Sequence, residues 1–307
     1  ITLISTTSLA DQGTQLIAYI NSYHPGYEWT DKGFSSFKAG LKNTNYEIHV
    51  HYMDTKRNKE KEQLVSAAHL AHNFIKNLKP NLIIAAEDNA SKLVIQPNYL
   101  NHPTPVIFIG VNVNASQYGY PATNVTGLIE MDRIENLINV MRHYFKKEKV
   151  GMIFSKTTTS TKKYNYFKQL NLNGFEAVQV NNENEWRKSL SRFNEDKDFI
   201  ALDTISGIKN LNHETAKNHI INYVRQPVVT ISATSRSLAH IGYINVPEEH
   251  GNWAAQAALK ILGGKSPLQI PIETSRFYKM FINQSLIDSM NIEIPESLYK
   301  LKHETFN

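Results

Sequence analysis

Strand-like and helix-like segments alternate along most of this chain, and that alternation constrains its fold more than any other feature. Short apolar runs typical of buried strands are each followed by a segment with apolar residues at helical spacing. The predicted strands cover residues 15–21, 46–53, 81–86, 105–110, 124–130, 149–155, 175–181, 198–203, 227–232 and 240–245. The predicted helices cover residues 31–42, 59–78, 89–95, 132–146, 160–170, 183–194, 213–224 and 250–263. Repeated units of this kind predict an α/β protein whose mostly parallel sheets carry helices on both faces.

The number of predicted strands indicates two sheets. Ten strands are many for one parallel sheet, and the region near 124–131 marks where one strand–helix series ends and a second begins. We therefore expect two similar lobes with a ligand cleft between them.

Composition excludes several classes of function. The 307 residues include no cysteine, which excludes disulfides, thiolate metal sites and cysteine nucleophiles. A net charge of +5 is modest, and the lysines are scattered, so we expect no nucleic-acid partner. Two histidine pairs, His49 with His51 and His69 with His72, lack an evident third ligand, so we expect no metal. We also expect no cofactor, no membrane-spanning segment and a monomer.

The first residues resemble the end of a secretory signal. An apolar stretch, residues 1–10, closes on small residues, with Ser8 and Ala10 at the positions that a signal peptidase prefers. This predicts that residues 1–12 are a signal-peptide remnant and that the protein is exported to the periplasm. The alternative is an ordinary disordered arm.

The loop after the first strand carries an unusual density of binding chemistry. Its sequence is Ser-Tyr-His-Pro-Gly-Tyr-Glu over residues 22–28, followed by Trp29. In an open α/β sheet, ligands bind outside the carboxyl ends of the strands, where this loop lies. We expect Tyr23, His24 and Tyr27 to contact a ligand, whereas Trp29 is expected to hold the following helix to the core. The alternative is that Tyr27 also serves only to fasten the helix.

Polar residues also follow the other predicted strands. They occur at 86–91, 110–114, 155–160, 203–207 and 232–235. Ser, Thr, Asp and Asn are the preferred helix caps, so capping explains any one of these positions as well as ligand binding does. Their expected convergence on one cleft is what capping leaves unexplained. The run Thr157-Thr158-Thr159-Ser160 at a helix start is the best predicted cradle for an anionic group such as a carboxylate.

Two segments carry a resemblance to a known family. The stretch from Glu249 to Pro267, with Ile270-Pro271-Ile272 and Phe281 to Ser285, resembles the closing signature of ABC-transporter substrate-binding proteins related to the tryptophan/tyrosine-binding lipoproteins. Asn124-Val125-Thr126-Gly127-Leu128 is similar to the crossover of that family into its second lobe. The loop from Ser22 to Trp29 also resembles the opening of periplasmic sensor domains of bacterial signalling proteins.

The resemblance implies a type-I periplasmic-binding-protein fold, in which two Rossmann-like lobes joined by three crossovers close around a small molecule. On this fold the expected division is 13–124 with 240–270 for lobe 1, and 125–239 with 271–307 for lobe 2. The chain is expected to pass between the lobes near 122–130, 233–241 and 268–280.

The resemblance also implies ligand contacts from the first loop and from the loops after later strands. Together with Tyr27, the expected ligand-binding residues are Ser22, Tyr23, His24, Asp88, Asn89, Ala90, Asn112, Ser155, Thr157, Thr158, Asp203, Ser232 and Thr234. The implied partner is an ABC permease or, alternatively, a membrane kinase or cyclase. The chain departs from the amino-acid binders in His24-Pro25-Gly26 and in lacking an anchoring cysteine.

The expected ligand is anionic or zwitterionic, such as an amino acid, a peptide or an organic acid. The basic surplus, the Ser/Thr-rich helix starts, Lys156 and Arg236 favour a carboxylate, with Asp88 or Asp203 available for an amino group. An enzyme is the minority alternative, with Ser22, His24 and an aspartate as a hydrolytic triad. No Gly-x-Ser-x-Gly motif supports it, so we expect no catalytic residues. Gly264-Lys265-Ser266 follows a helix, so Gly263-Gly264 is interpreted as a helix stop and not as a phosphate loop.

Overall fold

The computed structural model describes residues 14–290, 292–300 and 304–306. Residues 1–12, interpreted above as a signal-peptide remnant, lie outside the described residues. The chain forms two compact units. Unit 1 is the segment ending at Ile129 together with Pro247–Glu273, and unit 2 is Glu130–Val246 together with the segment that begins at Thr274.

The strands and helices follow the alternation expected from the sequence. The strands are β1 Leu16–Asn21, β2 Glu47–Tyr52, β3 Leu82–Ala86, β4 Val106–Asn112, β5 Val125–Glu130, β6 Val150–Ser155, β7 Phe175–Val180, β8 Phe199–Leu202, β9 Val228–Thr230, β10 Ile241–Asn245, β11 Glu273–Thr274, β12 Tyr278–Asn283 and β13 Glu304–Phe306. The α-helices are α1 Glu28–Gly40, α2 Lys61–Leu78, α3 Glu87–Ala90, α4 Gln96–Asn98, α5 Ile134–Phe145, α6 Thr158–Gln169, α7 Glu183–Asp196, α8 His213–Tyr223, α9 Pro247–Leu262, α10 Gln284–Met290 and α11 Glu296–Tyr299. A π-helical turn, Ser91–Ile95, joins α3 to α4.

Two sheets share one strand pattern. The first has the order β11-β5-β4-β3-β1-β2 and the second has the order β13-β12-β10-β9-β8-β6-β7. In both, the first strand of the series lies between the second and the third, as in a doubly wound fold. The pairs β1–β2, β1–β3 and β3–β4 are parallel, as are β6–β7, β6–β8, β8–β9 and β9–β10. The expectation of two mostly parallel α/β sheets is therefore confirmed.

Burial on both faces explains why the central strands could be predicted from the sequence. Every residue of β3 and β4 is buried, because helices cover both faces of the sheet. The edge strand β2 is only half-buried, and its sequence is correspondingly mixed. Separate apolar clusters lie on the two faces of each sheet, and they are centred on residues such as Phe108, Phe37, Phe154 and Trp186.

The chain leaves one unit for the other after Ile129, Val246 and Glu273. The first and last of these passages lie within the expected ranges 122–130 and 268–280, whereas the second lies beyond the expected 233–241. The placement of residues 240–246 in lobe 1 is corrected, because β10 pairs with β9 and β12 in the second sheet. Residues 125–129 and 271–273, expected in lobe 2, belong to unit 1, where β5 is a strand of the first sheet. The sequence analysis also missed β12, which runs antiparallel to β10 and so ends the regular strand–helix alternation.

Helix α9 packs against α1 at a contact that only glycine permits. A Cβ at Gly251 would lie 2.0 Å from the carbonyl oxygen of Gly33 and 2.7 Å from the amide nitrogen of Phe37. The helix then ends as expected, because Gly264 has φ +99° and its amide donates to the carbonyl of Ile261.

We expect Gly251→Ala to lower the free energy of unfolding by about 1–3 kcal/mol, because the two helices must separate to admit the methyl group. The matched control is Gly33→Ala, whose Cβ would lie 3.4 Å from its nearest neighbour, the carbonyl oxygen of Pro247. Its cost should stay below about 1 kcal/mol, since alanine is the better helix former. Urea unfolding of both variants tests this, and equal losses would contradict it.

Candidate functional site

In unit 1, Ser22 joins the ends of two neighbouring strands. Its hydroxyl donates to the carbonyl of Ala86 at 2.6 Å and accepts from the amide of Ala90 at 2.8 Å. The Thr55 hydroxyl donates to the Ser22 carbonyl at 2.7 Å, and the Asn89 amide group donates to that hydroxyl at 2.8 Å. Ser22 and Ala90 are fully buried, so in this structure they position the loops and expose no surface of their own.

The first loop builds an aromatic corner, which we define as the rings of Tyr23 and Tyr27. Their centroids lie 4.9 Å apart with an interplanar angle of 68°. The ammonium of Lys56 lies 4.4 Å from the Tyr23 centroid and 5.2 Å from the Tyr27 centroid. Lys56 was not identified from the sequence, because a single lysine in a polar segment carries no pattern.

His24 borders the aromatic corner and faces an ion pair. Its Nδ1 lies 3.5 Å from Oδ1 of Asp54, and its ring centroid lies 5.8 Å from that of Tyr27. Arg57 donates two hydrogen bonds to Asp54, at 2.8 and 2.7 Å, which lower the pKa of the carboxyl. The Ser22 hydroxyl donates to Ala86 and not to His24, so the geometry of these residues does not form the hydrolytic triad weighed above.

Asp88 is the buried centre of a second polar group in unit 1. It accepts from the Asn112 side chain at 3.2 Å, from the Asn112 amide at 3.4 Å and from the Tyr118 hydroxyl at 2.9 Å. Burial and the neighbouring carboxylate raise the pKa of Tyr118, which keeps its proton for this bond. Asp88 and Asn112, expected from their places after the predicted strands 81–86 and 105–110, are thus brought together. Tyr118 was missed because it lies beyond the strand end that the sequence marked.

Trp29 anchors α1 to the loop after β3, as expected. Its indole N–H donates to Glu87 at 2.9 Å, and its ring lies 5.7 Å from that of His250. Glu87 has φ +76° and is buried. His250 accepts from the Gly110 amide at 3.2 Å, its Nε2 has no hydrogen-bond partner among the described residues, and burial lowers its pKa to about 4.

In unit 2, the loop after β6 and the loop after β8 meet through hydroxyls. The Ser155 hydroxyl donates to Ser160 at 3.0 Å, and Ser160 donates to Asp203 at 2.5 Å. Thr157 caps α6 by accepting from the Ser160 amide at 3.3 Å, while Thr158 is exposed in the first turn. Ser155 and Asp203 are buried, so the accessible part of this group is Thr157 and Thr158.

Ser232 and Thr234 form a neighbouring chain of hydroxyls in unit 2. The Ser232 and Thr234 hydroxyls are 2.9 Å apart, and Thr234 donates to Thr204 at 3.0 Å. Both Ser232 and Thr234 are half-buried. The six residues expected in this unit therefore fall into two groups at the carboxyl ends of β6, β8 and β9.

A buried ion cluster lies behind these loops. The Lys163 ammonium lies 2.8 Å from Oδ2 of Asp132 and 3.9 Å from Oδ1 of Asp203. Burial opposes the charge of Lys163, but the two carboxylates outweigh it and raise the pKa of the lysine. Sequence reasoning missed this cluster. The available signal was a lysine on the buried face of α6, between Ser160 and Phe167.

The same cluster reaches the segments where the chain enters and leaves unit 2. Asn245 donates to Asp132 at 3.1 Å, and the Met131 amide donates to the Ser275 hydroxyl at 3.1 Å. Arg133 donates to the Ser275 carbonyl at 2.5 Å. The three segments in which the chain crosses between the units are thus hydrogen-bonded to one another within unit 2. Asp132 and Lys163 link these crossing segments to the loops after β6 and β8.

Within the part of the chain that the structure describes, no group of three or more His, Asp or Glu side chains is arranged to hold a metal ion. A search of the same residues finds no helix long and apolar enough to cross a bilayer.

We expect Lys163→Met to lower the free energy of unfolding by about 3–5 kcal/mol, because it leaves Asp132 and Asp203 buried without their cation. Lys168→Met, at an exposed position of the same helix, should cost less than about 0.5 kcal/mol. Urea unfolding measures both variants. If the losses of unfolding free energy caused by Lys163→Met and by Asp132→Asn simply add in the double variant, the two residues are not coupled.

We expect acid to destabilise the protein through two buried, neutral histidines. Burial lowers the pKa of His240 in unit 2 and of His250 in unit 1 to about 4 each. Against an unfolded pKa of about 6.5, each contributes up to about 3 kcal/mol, fully present above pH 6.5 and lost as pH falls toward 4.

Urea unfolding between pH 7.5 and pH 5 tests this dependence. His250→Asn keeps an acceptor for the Gly110 amide and should show a shallower fall in stability with acid. His102→Asn, at an exposed position, should leave the slope unchanged. A slope that is the same in all three proteins would contradict the assignment.

Comparisons with known proteins agree with this architecture. A family model described as ABC transporter substrate binding protein matches residues 17–306. Comparison with curated proteins finds no significant match. An ABC domain in complex with L-Trp from Streptococcus pneumonia is similar, with a TM-score of 0.72 at 15% identity, covering 96% of this chain and 100% of that chain.

Two further solved structures are similar. A ligand-free, open substrate-binding protein with adhesive properties from Clostridium difficile gives a TM-score of 0.72 at 16% identity, covering 96% of this chain and 100% of that chain. An ABC transporter solute-binding protein from Bacillus halodurans with bound myo-inositol gives 0.57 at 12% identity, covering 92% and 99%. These likenesses show a type-I periplasmic-binding-protein fold. Because the family model matches nearly the whole length, this chain belongs to the ABC transporter substrate-binding protein family.

Proposed function

We propose that this protein is an exported solute-binding protein that captures a small anionic or zwitterionic ligand and presents it to an ABC permease. The observation that carries the proposal is the family match over residues 17–306, combined with polar groups at the carboxyl ends of the strands in both sheets. In folds of this kind, ligands bind outside those strand ends.

The expected site residues divide into two roles under this proposal. Those with accessible polar or aromatic groups contact the ligand, and they are His24, Tyr27, Asn89, Thr157, Thr158, Ser232 and Thr234. Tyr23 is buried and packs against Tyr27 in the aromatic corner, and we propose that it contacts the ligand there. The buried members hold these loops in place, and they are Ser22, Asp88, Ala90, Asn112, Ser155 and Asp203.

The start of α6 supports recognition of a carboxylate. The amide groups of the first helical turn carry partial positive charge, and the exposed Lys156 lies directly before the cap. The similar structures hold L-Trp in one case and myo-inositol in another, so the fold accommodates both zwitterionic and neutral ligands. The choice of an anionic or zwitterionic ligand therefore rests on the local chemistry of this chain.

The proposed mechanism is closure about the three passages. A ligand that contacts both units stabilises a closed state more than an open one and so shifts the equilibrium between them. The hydrogen bonds among Met131, Arg133, Asn245 and Ser275 keep the passage segments together on the unit 2 side during such a motion. The closed state is the form that a membrane partner recognises.

A second candidate function is ligand sensing for a membrane kinase or cyclase. The feature that favours it is the first loop, from Ser22 to Trp29, which resembles the opening of periplasmic sensor domains. In this alternative the ligand-binding chemistry is unchanged, and the partner that reads the closed state differs.

Native mass spectrometry of protein purified without refolding is the direct test, with a thermal-shift screen of amino acids, small peptides, organic acids and sugars. We expect a co-purified or screened ligand that bears a carboxylate. Hits confined to neutral sugars would overturn the ligand class, and an absence of any ligand in both experiments would overturn the binding function. Small-angle scattering should show a smaller radius of gyration at saturation, and an unchanged value would contradict closure.

Substitutions at accessible groups test the site itself. We expect His24→Ala and Thr234→Ala each to weaken binding of the identified ligand about 3- to 10-fold, the effect of one hydrogen bond, with little change in melting temperature. His143→Ala, at an exposed position of α5 that is not among the expected ligand-binding residues, should bind the ligand with unchanged affinity. A collapse of stability with affinity retained would mean that these residues are structural.

A further inference from the structure

The ammonium of Lys163 is shared between two carboxylates that come from different parts of unit 2. It lies 2.8 Å from Oδ2 of Asp132, which follows the first crossing of the chain into this unit, and 3.9 Å from Oδ1 of Asp203, in the loop after β8. All three side chains are buried. Because a buried ammonium without an anion is costly, a shift of either carboxylate draws the lysine with it or moves it toward the other carboxylate.

Hydrogen bonds connect Asp203 to a residue that is proposed to contact the ligand. The Ser160 hydroxyl donates to Oδ2 of Asp203 at 2.5 Å, and the Ser160 amide donates to Oγ1 of Thr157 at 3.3 Å. The Ser155 hydroxyl donates to the Ser160 hydroxyl at 3.0 Å. Ser160 and Lys163 lie one turn apart on the buried side of α6, so both reach the same carboxylate. Thr157 is thereby tied to Asp203 through Ser160.

Other hydrogen bonds connect Asp132 to the crossing segments. Asn245, the last residue of β10, donates to Oδ1 of Asp132 at 3.1 Å. The chain neighbours of Asp132 hold the third segment, since the Met131 amide donates to the Ser275 hydroxyl at 3.1 Å and Arg133 donates to the Ser275 carbonyl at 2.5 Å. One oxygen of Asp132 thus faces the crossing segments, and the other faces the ammonium of the cluster.

We infer that Lys163 is a positioning residue that couples the crossing segments of unit 2 to its ligand loops, so that a change in one alters the order of the other. This inference rests on the proposed solute-binding function and specifies how ligand contact at Thr157 is transmitted to the crossing segments. Such coupling is reciprocal, because an arrangement of the crossing segments that favours the ligand is itself favoured by the ligand to the same extent. The alternative role is structural, in which the cluster stabilises unit 2 as a whole.

The test measures hydrogen exchange of single amides by NMR in the dialysed protein, without added ligand. Asn245→Ala removes the bond to Asp132 and leaves Lys163 in place. We expect the Ser160 amide to exchange about three- to tenfold faster in this variant, the effect of about one hydrogen bond on local opening. In the reciprocal variant, Ser160→Ala, the Met131 amide should exchange faster by a similar factor.

Two controls separate this role from a structural one. Asn136→Ala removes a hydrogen bond to the Tyr243 hydroxyl in β10 that lies outside the cluster, and it should leave the exchange of the Ser160 amide unchanged. The Thr215 amide donates to the Asn212 side chain at 2.8 Å, at the start of α8. It reports general loosening of unit 2, so its exchange rate should stay the same in every variant.

Two backgrounds show whether the effect passes through Lys163. Asp132→Asn keeps an oxygen for Asn245 but removes the charge that holds the ammonium, so adding Asn245→Ala should no longer change the exchange of the Ser160 amide. The same result is expected in Lys163→Met, and Asp132→Asn provides the test if Lys163→Met fails to fold. Unchanged Ser160 exchange in Asn245→Ala, an equal acceleration at Thr215, or a full effect that persists in Asp132→Asn overturns the inference.

The outcomes distinguish this inference from the proposed function, because the exchange measurements use no ligand. A ligand found by mass spectrometry or by screening, together with amides that do not respond to Asn245→Ala, removes the coupling and leaves solute binding intact. Amides that respond as expected, with no ligand found in either experiment, support the coupling and remove the proposed solute-binding function.

Discussion

Burial of both faces of two parallel sheets is the constraint on which the rest of this structure depends. A strand covered on both sides is largely apolar, as β3 is throughout and β4 is up to its last residue, Asn112, so polar side chains concentrate where strands end. At those ends the backbone turns, and the amide groups that have no partner within a strand or helix need another hydrogen-bond acceptor. Ser22 and Thr157 serve this need: the Thr157 hydroxyl accepts from an amide in the first turn of α6, and the Ser22 hydroxyl accepts from the Ala90 amide at the end of α3, after the neighbouring strand. The ligand-binding proposal and the structural role of such residues therefore share one physical origin.

The second unit adds an ionic link between its strand-end loops and its chain passages. Lys163 lies among Asp132, Asp203 and the Ser160 hydroxyl, and Asp132 in turn accepts from Asn245. A buried ion pair is costly to desolvate and is seldom the most stable choice for a core, so its presence points to specificity of arrangement. In this chain it fixes the positions of the passage segments relative to the loops proposed to bind ligand.

The first unit places its polar groups differently. Tyr23 and Tyr27 lie in the loop after β1, and the Lys56 ammonium lies near both rings. Asp88 lies deeper and is already hydrogen-bonded by Asn112 and Tyr118. Tyr23 and Asp88 are both buried, whereas Tyr27 and Lys56 are half-buried, so the latter two are the more accessible members of these groups.

The sequence determined the fold class and the approximate position of ten strands. Apolar runs and helical spacing are local signals, and parallel strands buried on both faces make them strong. It also located most groups at the strand ends, since Ser, Asp and Asn directly after an apolar run mark those places. It did not reveal that Tyr118, Lys56 and Lys163 complete these groups, because each lies beyond a strand end and is joined to it only by folding.

Tertiary structure alone decided the assignment of β10 to the second sheet and the partners of each buried charge. Strand pairing joins residues that are far apart in the chain, such as Ile241 with Val229 and with Ile282. The pattern along one strand contains no information about its neighbour. In the same way, the residue types predicted polar loops, but only the packed geometry shows that the Ser22 hydroxyl is used by the backbone while the tyrosine faces hold a cation. The sequence determines which polar and aromatic side chains are available, and packing determines which of them form contacts within the protein itself.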